Sequence, residues 1–210
     1  MTSVLIIDDH PIVLQGCRRV LEDAGIEEVL AASDMVAGYR LYLRHRPDVA
    51  IVDLAIQGKG LGGLELIRRI RARDAGANIL VLSMHNDPTI VARSLEAGAS
   101  GYVLKDTSSE ELVKAVQQVS AGVPFLSGDL AMKVALTGTG ARKPLADLTP
   151  RELQVLALLA DGKPYDAIAR ELSVSYKTVV NVSSQLKSKL GASTLPQLVS
   201  TAVKLLAPRP

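Results

Sequence analysis

Three carboxylates stand where two apolar runs stop. Asp8 and Asp9 close Val4-Leu-Ile-Ile7, and Asp53 closes Val49-Ala-Ile-Val52. In an open parallel α/β sheet, function gathers at the carboxyl ends of the strands, so acids at such ends read as site residues. Grouped negative charge suits a hard divalent cation with oxygen ligands. Beside such a cation, one carboxylate can act as nucleophile toward a phosphoryl group. Two further groups end apolar runs: Ser83 follows Ile79-Leu-Val-Leu82, and Lys105 follows Tyr102-Val-Leu104. Taken singly, Asp9 reads as a helix cap before Pro11, Ser83 as a turn residue and Lys105 as a solvated charge; together they describe a charged cleft.

The elements that must position these groups alternate regularly over residues 1 to about 121. Strand-like runs fall at Val4–Ile7, Glu28–Ala32, Val49–Val52, Ile79–Leu82 and Tyr102–Leu104, each bounded by Gly, Pro, Asp or Ser. Between them, apolar residues recur at three- and four-residue spacing in Ile12–Leu21, Ala37–Arg44, Leu64–Arg73, Ile90–Ala97 and Glu111–Ala121. Five strands alternating with helices predict a doubly wound parallel sheet.

From residue 122 to 145 the periodicity gives way to Gly, Pro, Ser and Thr, as in Thr137-Gly-Thr-Gly-Ala-Arg-Lys-Pro144. This reads as a linker, with a short helix around Leu130–Leu136. Residues 146–210 read as helices only. Thr149-Pro-Arg-Glu152 has the form of a capping box. A short helix over Pro164–Leu172, a turn through Ser173-Val-Ser175 and a helix over Tyr176–Leu190 ended by Gly191 make a helix-turn-helix, and Thr194-Leu-Pro-Gln197 opens a fourth helix.

Composition narrows the class. The length of 210 residues suits two small domains with proper cores. Cys17 is the only cysteine, which excludes an internal disulfide and fits a reducing, cytoplasmic setting. No apolar run reaches membrane-spanning length, and Asp8 comes too early for a signal peptide. The net charge of +2 conceals an asymmetry: residues 1–125 carry 13 basic against 16 acidic side chains, and residues 126–210 carry 11 against 6. The basic half fits a polyanion partner, though an excess of this size also fits an ordinary solvated surface.

The acid, hydroxyl and lysine set resembles the receiver domain of two-component response regulators, and Asp8-Asp9-His10-Pro11 resembles the opening of the NarL/FixJ subfamily. Leu148-Thr-Pro-Arg-Glu-Leu153, Ile168-Ala-Arg-Glu-Leu172, Ser175-Tyr-Lys-Thr-Val179 and Lys189-Leu-Gly191 resemble the LuxR-type helix-turn-helix. The resemblance implies a flavodoxin-like, five-stranded receiver over residues 1–121, a linker over 122–145 and a DNA-binding domain over 146–210. It implies Asp53 as phosphoacceptor, Mg²⁺ held by Asp8, Asp9, Asp53 and the backbone carbonyl of Ala55, and Ser83 and Lys105 on the phosphoryl group. Tyr102 becomes a switch residue whose ring turns inward as the Ser83 hydroxyl moves toward the phosphate. His10 shapes the acidic pocket without serving as metal ligand or phosphodonor.

On the third helix of the C-terminal domain, Lys177, Val180, Asn181, Ser184, Gln185 and Ser188 face outward. Asn181 and Gln185 suit base edges, while Lys177, Thr178 and Lys187 suit phosphates. Relatives usually carry a basic residue at the Val180 position and His or Tyr at that of Val182. The implied partners are a sensor histidine kinase, double-stranded DNA and, after phosphorylation, a second copy of the chain, with no membrane and no substrate turnover beyond the receiver's own phosphorylation and dephosphorylation. Before phosphorylation the receiver is expected either to cover the recognition helix or to block pairing. Three alternatives remain open: an adaptor that binds protein instead of DNA, a regulator that acts without phosphate, and an enzyme with an aspartyl-phosphate intermediate such as a small phosphatase, for which no insertion is long enough to build a substrate cap. The second is suggested by Ala55-Ile-Gln-Gly-Lys-Gly-Leu-Gly-Gly63, where the family usually has Pro-Gly and then Asp-Gly in a loop one residue shorter.

Overall fold

The computed structural model describes residues 2–56, 60–137, 145 and 147–206; residues 57–59 of the glycine-rich loop and 138–144 of the expected linker lie outside them. Parallel strands β1 (Ser3–Ile7), β2 (Glu28–Ala32), β3 (Val49–Asp53), β4 (Ile79–Ser83), β5 (Gly101–Leu104) and β6 (Phe125–Leu126) form one sheet in the order β2-β1-β3-β4-β5-β6. The central strands β3 and β4 are buried along their whole length, which is why they read as unbroken apolar runs. Two apolar layers cover the faces, one centred on Leu5, Val52, Ile67 and Val81, the other on Val4, Ile51, Leu80 and Val116.

The sheet has six strands where the sequence predicts five. The additional β6 is a two-residue edge strand that pairs Phe125 and Leu126 with Gly101 and Tyr102. Two residues are too few to establish a period-two signal, so this strand exists by virtue of its neighbour alone.

Helices α1 (Pro11–Asp23), α2 (Met35–His45), α3 (Gly63–Arg73), α4 (Pro88–Glu96) and α5 (Ser109–Ser120) connect the strands. Several of them start on side chains that satisfy orphan N–H groups. Asp34 accepts from Val36 and Ala37, Asp87 from Thr89, and Ser108 from Glu111. Helix α6 (Gly128–Thr137), in the expected linker, packs on α4.

The C-terminal domain contains α7 (Pro150–Ala160), α8 (Tyr165–Glu171), α9 (Tyr176–Leu190) and α10 (Leu195–Leu206). Thr149 and Glu152 form the expected capping box, Ser175 caps α9 by accepting from Thr178, and Gly191 ends α9 in the left-handed region at φ 66°. Glu152 has a second task, because its carboxylate accepts from Lys189 at 2.8 Å and so ties α7 to the end of α9. No helix among the described residues is long and apolar enough to cross a membrane.

Burial alone would raise the Glu152 carboxyl, but the Lys189 and Thr149 hydrogen bonds outweigh it and hold the group below the usual glutamate range. A depressed folded value means that this stabilisation is present above the ordinary glutamate pKa and is lost as pH falls through the folded one. Glu152→Gln should lower the stability of the C-terminal bundle by about 1–3 kcal/mol at neutral pH, measured by urea unfolding, with the difference shrinking toward acid. An unchanged midpoint at neutral pH would contradict this role.

Candidate functional site

The sheet delivers its chemistry at one edge. Asp53 is the last residue of β3, pairing opposite Leu82, and Lys105 follows β5 with its N–H donated to the Ser83 carbonyl at 2.9 Å. Asp8 continues β1 and donates its N–H to the Ala32 carbonyl at 3.1 Å. Three strand ends in register therefore bring together side chains that are far apart in the sequence.

The side chains of Asp8 and Asp53 are only 2% and 1% exposed. Lys105 Nζ stands 2.7 Å from Asp8 Oδ2 and 3.3 Å from Asp53 Oδ1, so one ammonium bridges two buried carboxylates. Asp53 Oδ2 is buried with no hydrogen-bond partner, which leaves an acceptor aimed into the cleft. Oxygen or nitrogen atoms of Asp8, Asp9, His10 and Asp53 lie within 4.8 Å of one another, a spacing compatible with one bound cation. Burial raises the Asp53 carboxyl above the usual aspartate range; Lys105 opposes this and Asp8 adds to it.

His10 is exposed, with Nδ1 at 2.9 Å from Asp8 Oδ1 and 3.1 Å from Asp9 Oδ1. Asp9 is not the cap of α1: His10 holds the N-cap position, and its N–H is received by Asp8 Oδ1 at 2.9 Å. Burial pushes the thiol of Cys17, a buried residue of α1, up to about 11.

Ser83 is fully buried at the end of β4, and its Oγ accepts the His85 N–H at 3.2 Å. Tyr102 is fully buried as well; its hydroxyl bonds to the Ser83 side chain and donates to the His85 carbonyl at 2.6 Å. The ring already points inward in this structure. Ala55 donates its N–H to the Asp53 carboxylate at the start of the glycine-rich loop. At the end of that loop, a Cβ on Gly63 would collide with the Asp53 carbonyl, so α3 can start this close to the site only with glycine there.

In the C-terminal domain, Val179, Val182, Ser183 and Leu186 of α9 are buried, while Lys177, Val180, Asn181, Ser184, Gln185 and Ser188 are exposed. Thr178 and Lys187 are half-buried, and the Thr178 hydroxyl pairs with the cap Ser175 at 2.8 Å. Two residues carry weight that the sequence reading did not give them. His85 lies half-buried between the two domains, its imidazole at the Leu206 carbonyl, and Gly60 packs against the backbone of α7 at Gln154. Both contacts join residues remote in the chain, and no local periodicity signals them.

Comparison with known proteins agrees with this geometry. Residues 4–117 match the response regulator receiver domain, and residues 146–202 match the bacterial regulatory proteins of the luxR family. The methanol utilization control regulatory protein MoxX of Paracoccus denitrificans is 37% identical over 207 residues, covering 96% of this chain and 91% of that one. The RcsB response regulator of Salmonella typhimurium superposes with a TM-score of 0.78 at 30% identity, covering 98% and 100% of the two chains. RcsB from Salmonella enterica serovar Typhimurium bound to promoter P1flhDC with the phosphomimetic BeF₃⁻ gives 0.72 at 32% identity, covering 95% and 98%. A receiver cleft on a parallel sheet, joined to a LuxR-type helix-turn-helix, places this chain in the two-component response-regulator family as a DNA-binding transcriptional regulator.

Proposed function

We propose that Asp53 accepts a phosphoryl group from the phosphohistidine of a sensor kinase, and that the phosphorylated chain pairs and binds operator DNA through α9. The nucleophile is a carboxylate oxygen: an Asp53 Oδ forms the new O–P bond as the histidine N–P bond breaks, and the imidazole leaves with the electron pair. The observation that carries the reading is the buried pair Asp8 and Asp53 bridged by Lys105, with one oxygen of Asp53 left without a partner.

The donor set fits Mg²⁺. Three carboxylates against one ammonium leave two negative charges uncompensated, and a divalent cation makes the cleft neutral. Asp8, Asp9, Asp53 and the Ala55 carbonyl are the groups that would hold it, all of them hard oxygen donors. When bound, the cation supplies charge cancellation on the phosphoryl oxygens. Lys105 supplies the same from the opposite side, and Ser83 offers a hydroxyl to the third oxygen. Tyr102 follows Ser83 because the two side chains are already bonded.

The exposed face of α9 supports DNA as the partner. On this reading the exposed Asn181 and Gln185 meet base edges, the exposed Ser184 and Val180 allow close approach, and the exposed Lys177 with the half-buried Thr178 and Lys187 meets phosphates. RcsB, the relative seen on promoter DNA, shares this architecture. We further assign the chain to the cytoplasm, with no turnover beyond its own phosphorylation and dephosphorylation.

Three outcomes are expected. Asp53→Asn should abolish the gain in DNA affinity that a small phosphodonor with Mg²⁺ gives the wild type; a retained gain would refute the assignment of Asp53. Removal of a phosphate contact by Lys177→Ala should reduce the slope of log affinity against log salt by roughly 1, and an unchanged slope would move this lysine out of the interface. The third concerns stability without metal. Because the folded Asp53 pKa is raised, the folded chain retains a proton that the unfolded chain gives up, so stability falls as pH rises from the ordinary aspartate value through the raised one. Asp53→Asn should therefore stabilise the metal-free protein at neutral pH by about 1–3 kcal/mol in urea unfolding; a loss of stability would contradict the charge argument.

A further inference from the structure

The free edge of the sheet carries opposite charge on its two sides. β2 ends the sheet, and among the described residues no strand pairs with its outer edge. Such an edge invites another chain unless charge or cover manages it. Cys17 and Leu21 place α1 on the sheet face that holds Val4 and Ile6, while Tyr42 places α2 on the face that holds Leu5 and Ile7. On the α1 side, the stretch Glu22-Asp-Ala-Gly-Ile-Glu-Glu28 that leads into β2 has four acids and no base. Glu22, Glu27 and Glu28 are exposed, and Asp23 is partly offset by Arg19 at 3.8 Å. On the α2 side, Met35–His45 contains no acid at all. The acids beside α2 are already engaged: Asp34 accepts from Val36 and Ala37, and Asp74 accepts from Tyr42 and Arg46. Tyr39 lies against the Arg69 guanidinium at 4.2 Å, so that side of α2 faces α3. By helical periodicity Arg40 and Arg44 project away from α3, and both are exposed, with Leu43 beside them. His45 Nδ1, 4.0 Å from Glu28 Oε1, shows that the end of α2 and the start of β2 lie together. Acids and arginines therefore stand level at the amino end of the sheet, on opposite faces.

We propose that the β2 edge is a pairing surface for a second copy of this chain, in which Glu22, Glu27 and Glu28 of one copy meet Arg40 and Arg44 of the other. Symmetry selects the arrangement. A two-fold axis perpendicular to the sheet keeps the acids and the arginines on separate faces. An axis along the β2 edge, parallel to the strands, turns the α1 side of one copy onto the α2 side of the other and keeps the amino ends level. The contact then forms twice, as an isologous interface requires. Leu43 adds apolar contact beside the arginines. Because the charges are exposed, they contribute orientation more than affinity, and the pairing weakens as salt rises. None of these residues belongs to the cleft or to α9, so the proposal does not rest on the reading of Asp53.

Sedimentation equilibrium of the full chain, at low salt and without phosphodonor, compares wild type with Arg40→Glu/Arg44→Glu and with Glu22→Lys/Glu27→Lys, folding being checked by circular dichroism. Asp53 and α10 are intact in every protein, so a difference in association belongs to the β2 edge. Each reversed protein alone should self-associate roughly tenfold less tightly than wild type. An equimolar mixture of the two should form a heterodimer as tight as the wild-type dimer, because every contact again joins opposite charges. Recovery on mixing also separates a lost contact from a lost fold. A wild type that stays monomeric, reversed proteins that associate as wild type does, or a mixture whose members stay apart would each overturn the proposal. Arg40→Glu/Arg44→Glu that keeps wild-type association but loses affinity for a short duplex would overturn it too, and would give these arginines to DNA.

Discussion

Two carboxylates buried in a protein interior repel each other and lack the water that would stabilise them, and the fold around Asp8 and Asp53 holds them there with a single lysine between. Such an arrangement is costly unless something further compensates it. The rest of the receiver follows from this constraint. Strands buried on both faces fix the backbone that places the acids, and register across β1, β3, β4 and β5 brings Asp8, Asp53, Ser83 and Lys105 to one edge. Relief of that charge is the free energy on which a cation can act.

The same loops serve two purposes. Asp53 and Ser83 stand at the cleft, while Ala55, Gly60 and His85, a few residues on, line a cavity against the C-terminal domain. The C-terminal domain keeps its own internal ties, as in the Glu152 and Lys189 pair.

Much of this was legible in the sequence because it rests on short-range signals. Apolar runs ended by Asp8, Asp53, Ser83 and Lys105 marked the strands and their ends together, and the caps at Thr149 and Ser175 marked the helices of the C-terminal domain. The edge strand Phe125–Leu126 escaped because two residues have no periodicity of their own. His85 and Gly60 escaped for another reason: their partners, Leu206 and Gln154, lie in the other domain, and pairing across domains leaves no local pattern. The glycine-rich loop did register as a departure from the family, but only packing against α7 shows what that departure accommodates. The outward face of α9 is exposed, so the receiver does not cover it in this structure.

The central claim is most directly tested by locating the phosphoryl group. Full-length protein treated with a small phosphodonor, with and without Mg²⁺, is reduced with borohydride to trap acyl phosphates and mapped by peptide mass spectrometry. The account predicts a single trapped site at Asp53 that forms only with the metal present. Modification elsewhere, or equal labelling of Asp53 in the presence of a chelator, would contradict it.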